Sequence, residues 1–266
     1  MEDRSERKTE KKPIFVIGSA RSGTSIISKA IKLGAGIYGY NEGHLLPIVA
    51  VLVKEIEKEY EKKKHILDKK GYMIAHTNQK EIEERIINVF KDVCEGIYKD
   101  EVWIDKTPDL GMIAATPYIL RAWPQSKLIF AKRRGVECII SRTRKFQNVS
   151  FENHCKFWKQ CMEEWLKVRE SLKGHYIEID QREISLNPEK VAKEIGNLLK
   201  IEEEKIKRIK EVFVNQRPEF TGGTEKTEAI EIKETGWTDE QIEIFRKHCG
   251  EVSEKFGYSE TSDYYM

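Results

Sequence analysis

A short loop of small residues carries the first chemistry in this chain. Gly18 and Gly23 bracket Ser19-Ala20-Arg21-Ser22, with Thr24 and Ser25 directly after. Small residues let main-chain N–H groups converge, and a helix opening at Thr24 would aim its positive end at the same point. The product is an anion cradle. Its Gly18-x-x-x-x-Gly23 spacing is that of a Walker A loop, yet Thr24 stands where a nucleotide-hydrolysing loop has Lys. Arg21 is the cation left inside the loop, so the site suits a phosphate but is poorly built for Mg-ATP.

Two further clusters have chemical potential. Lys132-Arg133-Arg134-Gly135 follows the apolar run Leu128-Ile129-Phe130-Ala131, and Ser141 stands eight residues beyond Arg133. Asp105-Lys106-Thr107-Pro108 follows Val102-Trp103-Ile104, while Glu42 and His44 sit in the turn-like Asn41-Glu42-Gly43-His44. A P-loop phosphoryl-transfer enzyme would place a Mg²⁺-holding acid at such a strand end. Here one strand runs into three cations, and Asp105 is followed at once by Lys106, so no metal site is expected. This design suits a donor whose transferred group carries little charge and whose remaining phosphates the protein must hold alone.

These residues need a frame to bring them together. Ile14-Phe15-Val16-Ile17 reads as a strand buried on both faces, and Thr24 to Ile31 restarts apolar residues at helical spacing. Gly36 to Tyr40 reads as a second strand, 102–104 as a third, Lys127 to Ala131 as a fourth and His175 to Ile179 as a fifth. Helical patterns cover Leu45 to about His65, Gln79 to Tyr98, Leu110 to Trp123, the run through Ser141 to Lys145, Phe151 to Leu172, Pro188 onward, Glu202 to Val214, and a last one from about Thr238. Strand, polar turn and helix recur, which predicts a P-loop NTPase-like three-layer αβα fold around a central parallel sheet. Ligands of such sheets gather beyond the carboxyl ends of the strands, where Arg21, Glu42, Lys106 and Arg133 all fall. The aromatic stripe of Phe157, Trp158 and Trp165 reads as core.

The 266 residues can bury a sizeable core; the expected division is a charged tail at 1–12 and one domain at 13–266, with a helical insertion or lid at about 45–98. Charged residues are 35%, but 47 Lys and Arg against 45 Asp and Glu leave a net charge of +2, which gives no case for nucleic-acid binding. Five cysteines form no CxxC pair and fit free thiols in a reducing compartment. The tail has no apolar signal region and the longest apolar run is too short to span a bilayer, so the expectation is a soluble cytoplasmic protein without membrane contact.

Taken together, these stretches resemble the sulfotransferases that use 3′-phosphoadenosine 5′-phosphosulfate. FVIGSARSGTSII is similar to their 5′-phosphosulfate loop, and LIFAKRRGVECIISR to their 3′-phosphate motif, in a style closest to protein-tyrosine and Golgi-type members. The likeness extends to Ile104–Pro108, to IEIDQREISLNPEKVAKEIGNLL and to the closing GW, helix and FGY. It implies that the main chain of Ser22, Gly23, Thr24 and Ser25 holds the 5′-phosphate and that Arg21 neutralises the leaving oxygen. Arg133 and Ser141 would bind the 3′-phosphate, although Arg134 stands where the family usually has an acidic residue or Asn and leaves open which arginine faces it. Lys226, in the 221–231 loop, would be a further phosphate contact. Lys106 would point into the site, and Glu42 would be the general base, with His44 as the fallback. The implied reaction is metal-independent in-line sulfuryl transfer to a hydroxyl or amine of a small molecule, glycan or peptide, leaving adenosine 3′,5′-bisphosphate. Two other readings remain open, a P-loop kinase of a small molecule and a non-catalytic nucleotide-binding module. Acceptor identity and oligomeric state are not legible.

Overall fold

The computed structural model describes residues 10–216 and 229–266. Among them four strands, β1 (Ile14–Gly18), β2 (Ile104–Lys106), β3 (Lys127–Lys132) and β4 (Tyr176–Asp180), form one parallel sheet in the order β2-β1-β3-β4. Ile14 stands in register with Ile104 on one side and Lys127 on the other, and Leu128 with Tyr176. Parallel neighbours need crossovers, and the helices supply them. α1 (Thr24–Ala35), α2 (Pro47–Lys62) and α3 (Gln79–Ile97) lie between β1 and β2, and α4 (Leu110–Ala122) joins β2 to β3. α5 (Gly135–Lys145) and α6 (Phe151–Val168) lead to β4. α7 (Gln181–Leu186), α8 (Pro188–Leu199), α9 (Glu203–Asn215) and α10 (Asp239–Lys255) complete the fold.

Alternation along the strands builds two cores, one on each face. Phe15, Ile17, Leu128 and Phe130 point into a core shared with α2, α4, α5, α6 and α10, whereas Ile14, Val16, Ile104, Ile129, Ala131 and Ile179 face α1, α8 and α9. Both faces of the sheet are therefore covered, which is why its strands read as unbroken apolar runs. The protein is three-layered αβα, as the strand–turn–helix rhythm predicts. Trp158 and Trp165 of α6 are fully buried, so the aromatic stripe is core. α2 and α3 lend Val49, Ala50, Val53, Ile87 and Cys94 to the first core and pack on α4. All five cysteines are buried free thiols.

One predicted element does not form. Residues 36–40 make no strand: Gly36 adopts a left-handed conformation that ends α1, and the chain then touches β2 through a single bond from the Ile104 N–H to the Tyr38 carbonyl (3.0 Å). Gly39 passes so close that a Cβ there would lie 1.9 Å from the Ile104 carbonyl oxygen. Close passage without a ladder explains the misreading, because an aromatic, Gly-flanked run suits either a strand or a backbone pressed against one. β2 itself begins at Ile104 and takes in Asp105 and Lys106, which the expectation left in the following turn. Among the described residues, no helix is long and apolar enough to cross a membrane.

Candidate functional site

The glycine-bracketed loop lies where β1 ends. At Gly18 (φ 145°) a Cβ would sit 2.2 Å from the Ala131 carbonyl of β3, so only glycine lets the two strands stay paired while the chain turns. The Ser22 hydroxyl donates to the Ser19 carbonyl (2.7 Å) and the Ser22 N–H to the same oxygen (3.2 Å), closing the loop on itself. α1 starts at Thr24 from a left-handed Gly23 with no side chain capping it. Its first-turn amides thus lack intrahelical acceptors and a cap, which leaves them available to an anion. Thr24 is buried and Ser25 exposed at this edge. Arg21 holds φ at 76°, a conformation costing a non-glycine residue on the order of 1 kcal/mol or more. In this conformation its side chain reaches α5.

There the Arg21 Nε–H donates to the Ser141 hydroxyl (2.9 Å), and Arg133 Nη1 donates to the Arg21 carbonyl (3.3 Å). The two motifs that resemble phosphate-binding segments therefore meet. Arg133 has a buried Nε with no partner among the described residues, a donor waiting for an acceptor. The Trp158 indole N–H holds the Arg133 carbonyl (3.1 Å), a support invisible in the sequence because it comes from a helix 25 residues away.

Arg134 has a different task. It is 1% exposed; its guanidinium makes a two-pronged contact with Glu137 and donates to the carbonyls of Ser259 (3.1 Å), Thr261 (2.7 Å) and Ile230 (2.6 Å), and it lies over the Tyr264 ring. Its donors are consumed by the C-terminal segment. Next to it, Asp180 at the end of β4 accepts from the hydroxyls of Tyr258 and Tyr264 (2.7 Å each) and from the Arg182 N–H (2.8 Å). Burial raises the Asp180 pKa against the opposing pull of these donors. Gln181 then packs on Gly23. The closing segment is in this way tied to the phosphate loop through α7, a connection for which the FGY likeness was the only sequence signal.

On the other side of the loop, Lys106 at the end of β2 places its Nζ 2.5 Å from Glu42 Oε1. His44 Nε2 lies 2.8 Å from Glu42 Oε2, and His44 Nδ1 3.8 Å from Asp109, the residue that caps α4. The 42–44 turn is held by Thr107, whose hydroxyl accepts from the N–H groups of Gly43 (3.2 Å) and His44 (3.4 Å) and donates to Asp105 (2.8 Å). Burial pushes the Glu42 pKa up, but Lys106 and then His44 together bring it below the ordinary glutamate value. Asp105 is raised by burial, with the Thr107 bond opposing. Arg21, Ser22, Gly23, Thr24, Ser25, Arg133 and Ser141 are thus one group, and Glu42, Lys106 and His44 a second, both along the carboxyl edge of the sheet. Lys226 and the rest of its glycine-containing loop up to residue 228 lie outside the described residues. Among those described, no three of His, Cys, Asp and Glu converge to hold a metal ion.

A glycine-bracketed loop after the first strand, an arginine at the end of its neighbour and a parallel αβα sheet define a P-loop-like fold. The sulfotransferase family model matches residues 13–205, and the chain belongs to that family. No curated protein matches it in sequence. Among solved structures, the sulfotransferase domain of the olefin synthase of Synechococcus PCC 7002 superposes with a TM-score of 0.58 at 15% identity, over 97% of this chain and 99% of that one. The sulfotransferase domain from the curacin biosynthetic pathway gives 0.54 at 16% identity, over 94% and 98%. A sulfotransferase from Mycobacterium avium gives 0.52 at 13%, over 92% and 77%. At such identities the likeness is one of fold.

Proposed function

We propose that the protein transfers a sulfuryl group from 3′-phosphoadenosine 5′-phosphosulfate to a hydroxyl or amine acceptor, without a metal ion. The observation that carries this reading is the meeting of Arg21, Arg133 and Ser141, which joins two anion-binding motifs across 120 residues of chain. The residues fit the donor: uncapped α1 amides for one phosphate, and the orphaned Arg133 Nε with Ser141 for another. Arg133 rather than Arg134 takes the second role, since Arg134 has its donors committed elsewhere. Lys226 remains a proposed contact, as do the domain at 13–266 and the helical insertion at about 45–98.

The bound donor supplies an activated sulfuryl group. The chain's own residues do the rest. Glu42, ionised at neutral pH, accepts the acceptor's proton while His44 fixes the carboxylate through its other oxygen. Neutralising Glu42 releases Lys106 from its counter-charge, so that its ammonium and the Arg21 guanidinium serve the charge appearing on the leaving phosphate. The cation–carboxylate pair thus couples proton uptake to charge stabilisation.

A thermal-shift comparison tests the donor. Adenosine 3′,5′-bisphosphate should raise the melting temperature equally with EDTA or Mg²⁺, and ATP should do less. A response to ATP that needs Mg²⁺, with none to the bisphosphate, would transfer support to a kinase; bisphosphate binding with no transfer to any acceptor would leave a binding module.

A further inference from the structure

Arg142 is a buried cation with no counter-charge among the described residues. It is 6% exposed, its Nε has no partner, and among the described residues it makes neither a hydrogen bond nor an ion pair. What surrounds it is aromatic: its guanidinium lies 4.1 Å from the centre of the Phe157 ring and 5.4 Å from that of Phe146. Burial lowers its pKa, with only the Cys138 and Cys161 thiols opposing. His154, which feels the Arg142 charge, is wholly buried and among the described residues has only the Phe146 main chain as a weak partner for its ring. Burial and the Arg142 charge push this imidazole toward its neutral form, with the Phe146 main chain pulling the other way. A buried guanidinium is costly unless paired, and one packed on aromatic rings alone keeps its N–H donors open to an anion.

The place of this pair says where the anion comes from. On α5, Arg142 stands one turn beyond Cys138, whose thiol lies 3.4 Å from the Ser19 hydroxyl and donates to the Ala20 carbonyl under the phosphate loop. Across from it, Cys161 of α6 feels the charge of Asp109, and Asp109 lies 3.8 Å from His44. Arg142 thus shares a helix with the thiol that meets the loop after β1, and it is in electrostatic reach of Cys161, which in turn feels Asp109 beside His44. Ser141, assigned to the nucleotide, projects about 100° away around the helix.

We propose that Arg142 is the receptor for an oxyanion on the acceptor, so that the acceptor class is a hydroxyl or amine compound already bearing a carboxylate, phosphate or sulfate group. The inference rests on the sulfuryl-transfer reading for the word acceptor. The oxyanion-binding property itself does not depend on it.

Inorganic sulfate is the probe, compared with sodium chloride at equal ionic strength, on full-length protein with and without saturating adenosine 3′,5′-bisphosphate. Sulfate should raise the wild-type melting temperature by a few degrees in both states. With the bisphosphate saturating, so that the α1 amides and Arg133 are already occupied, Arg142→Met should lose that response and Arg142→Lys should keep part of it, and bisphosphate affinity by calorimetry should stay within about twofold in both. Without ligand, Arg142→Met should be as stable as the wild type or more so, because an unpaired charge leaves the interior and a thioether still meets both rings. An equal sulfate response in Arg142→Met, or none in the wild type, overturns the proposal. So does a large loss of stability in that variant, which would mark a structural cation. A fall of about tenfold or more in bisphosphate affinity would assign the guanidinium to the nucleotide's 3′-phosphate and overturn the acceptor role. Failure of the bisphosphate to bind any version defeats the donor reading alone, and the difference in sulfate response between wild type and Arg142→Met still decides Arg142, because the α1 amides contribute equally to both.

Discussion

Lys106 and Glu42 come from positions 64 residues apart and meet at 2.5 Å at the carboxyl edge of the sheet, the cation nearly buried and the carboxylate over a third exposed. The pair fixes the acid side of the pH profile. Glu42 has its pKa lowered in the folded protein, so its working form persists below the ordinary glutamate range, and kcat/KM should fall only as pH drops through that lowered value. Lys106→Met leaves burial, which acts upward, opposed only by His44, and should move the acidic limb to higher pH. The same sign governs stability: the ion pair's contribution is complete above the unfolded glutamate pKa and is lost as pH falls through the folded one. An acidic limb unmoved in Lys106→Met would remove Glu42 from the proton-transfer role.

Arg21 should matter to chemistry and Ser141 to the hold on the nucleotide. Arg21→Ala should lower turnover on the order of a hundredfold, the usual loss for one charge-stabilising donor. Ser141→Ala removes the acceptor of the Arg21 Nε–H and a proposed phosphate contact, and should weaken adenosine 3′,5′-bisphosphate about tenfold. Steady-state kinetics and calorimetry separate the two effects; unchanged turnover in Arg21→Ala rejects its role.

Arg134 should be a stability residue. Replacing it by Met strands the Glu137 carboxylate, which is 12% exposed, and unbinds three carbonyls of the C-terminal region. The expected loss is about 3–5 kcal/mol in urea unfolding, as for other broken buried pairs. A variant of native stability would mean that the tail is held by other contacts.

Gly18→Ala should fail on the backbone. Its methyl would meet the Ala131 carbonyl between paired strands and would favour a conformation other than φ 145°, so about 2 kcal/mol or more of stability should go, together with nucleotide binding. Urea midpoints and a thermal-shift assay read both.

The legible part of the site was the part written in contiguous runs. Gly18 to Ser25 and Arg133 to Ser141 each combine a strand end, a turn and the first turns of a helix, so local spacing carries their geometry. Arg134 shows the limit: its side chain is claimed by Glu137 and by residues 96 or more positions away, and adjacent arginines look alike until the tail is in place. Gly36 to Tyr40 shows another, since a strand is defined by a neighbour's ladder and that segment finds one bond. Trp158 was legible as core but not as the support of Arg133, because burial and hydrogen bonding draw on different ends of the same indole.

β4 pairs only with β3 among the described residues, leaving an outer row of main-chain groups. Glu178 sits at its middle, mostly buried and tied to Lys132, Arg169 and the Trp165 indole. A second sheet docking on that rim would have to continue past a carboxylate whose partners are fixed to β3 and α6, and it would find no acid-binding match of its own. Charge set inward on an outermost strand is a known guard against sheet-to-sheet growth, and Glu178 makes pairing along β4 costly in that way.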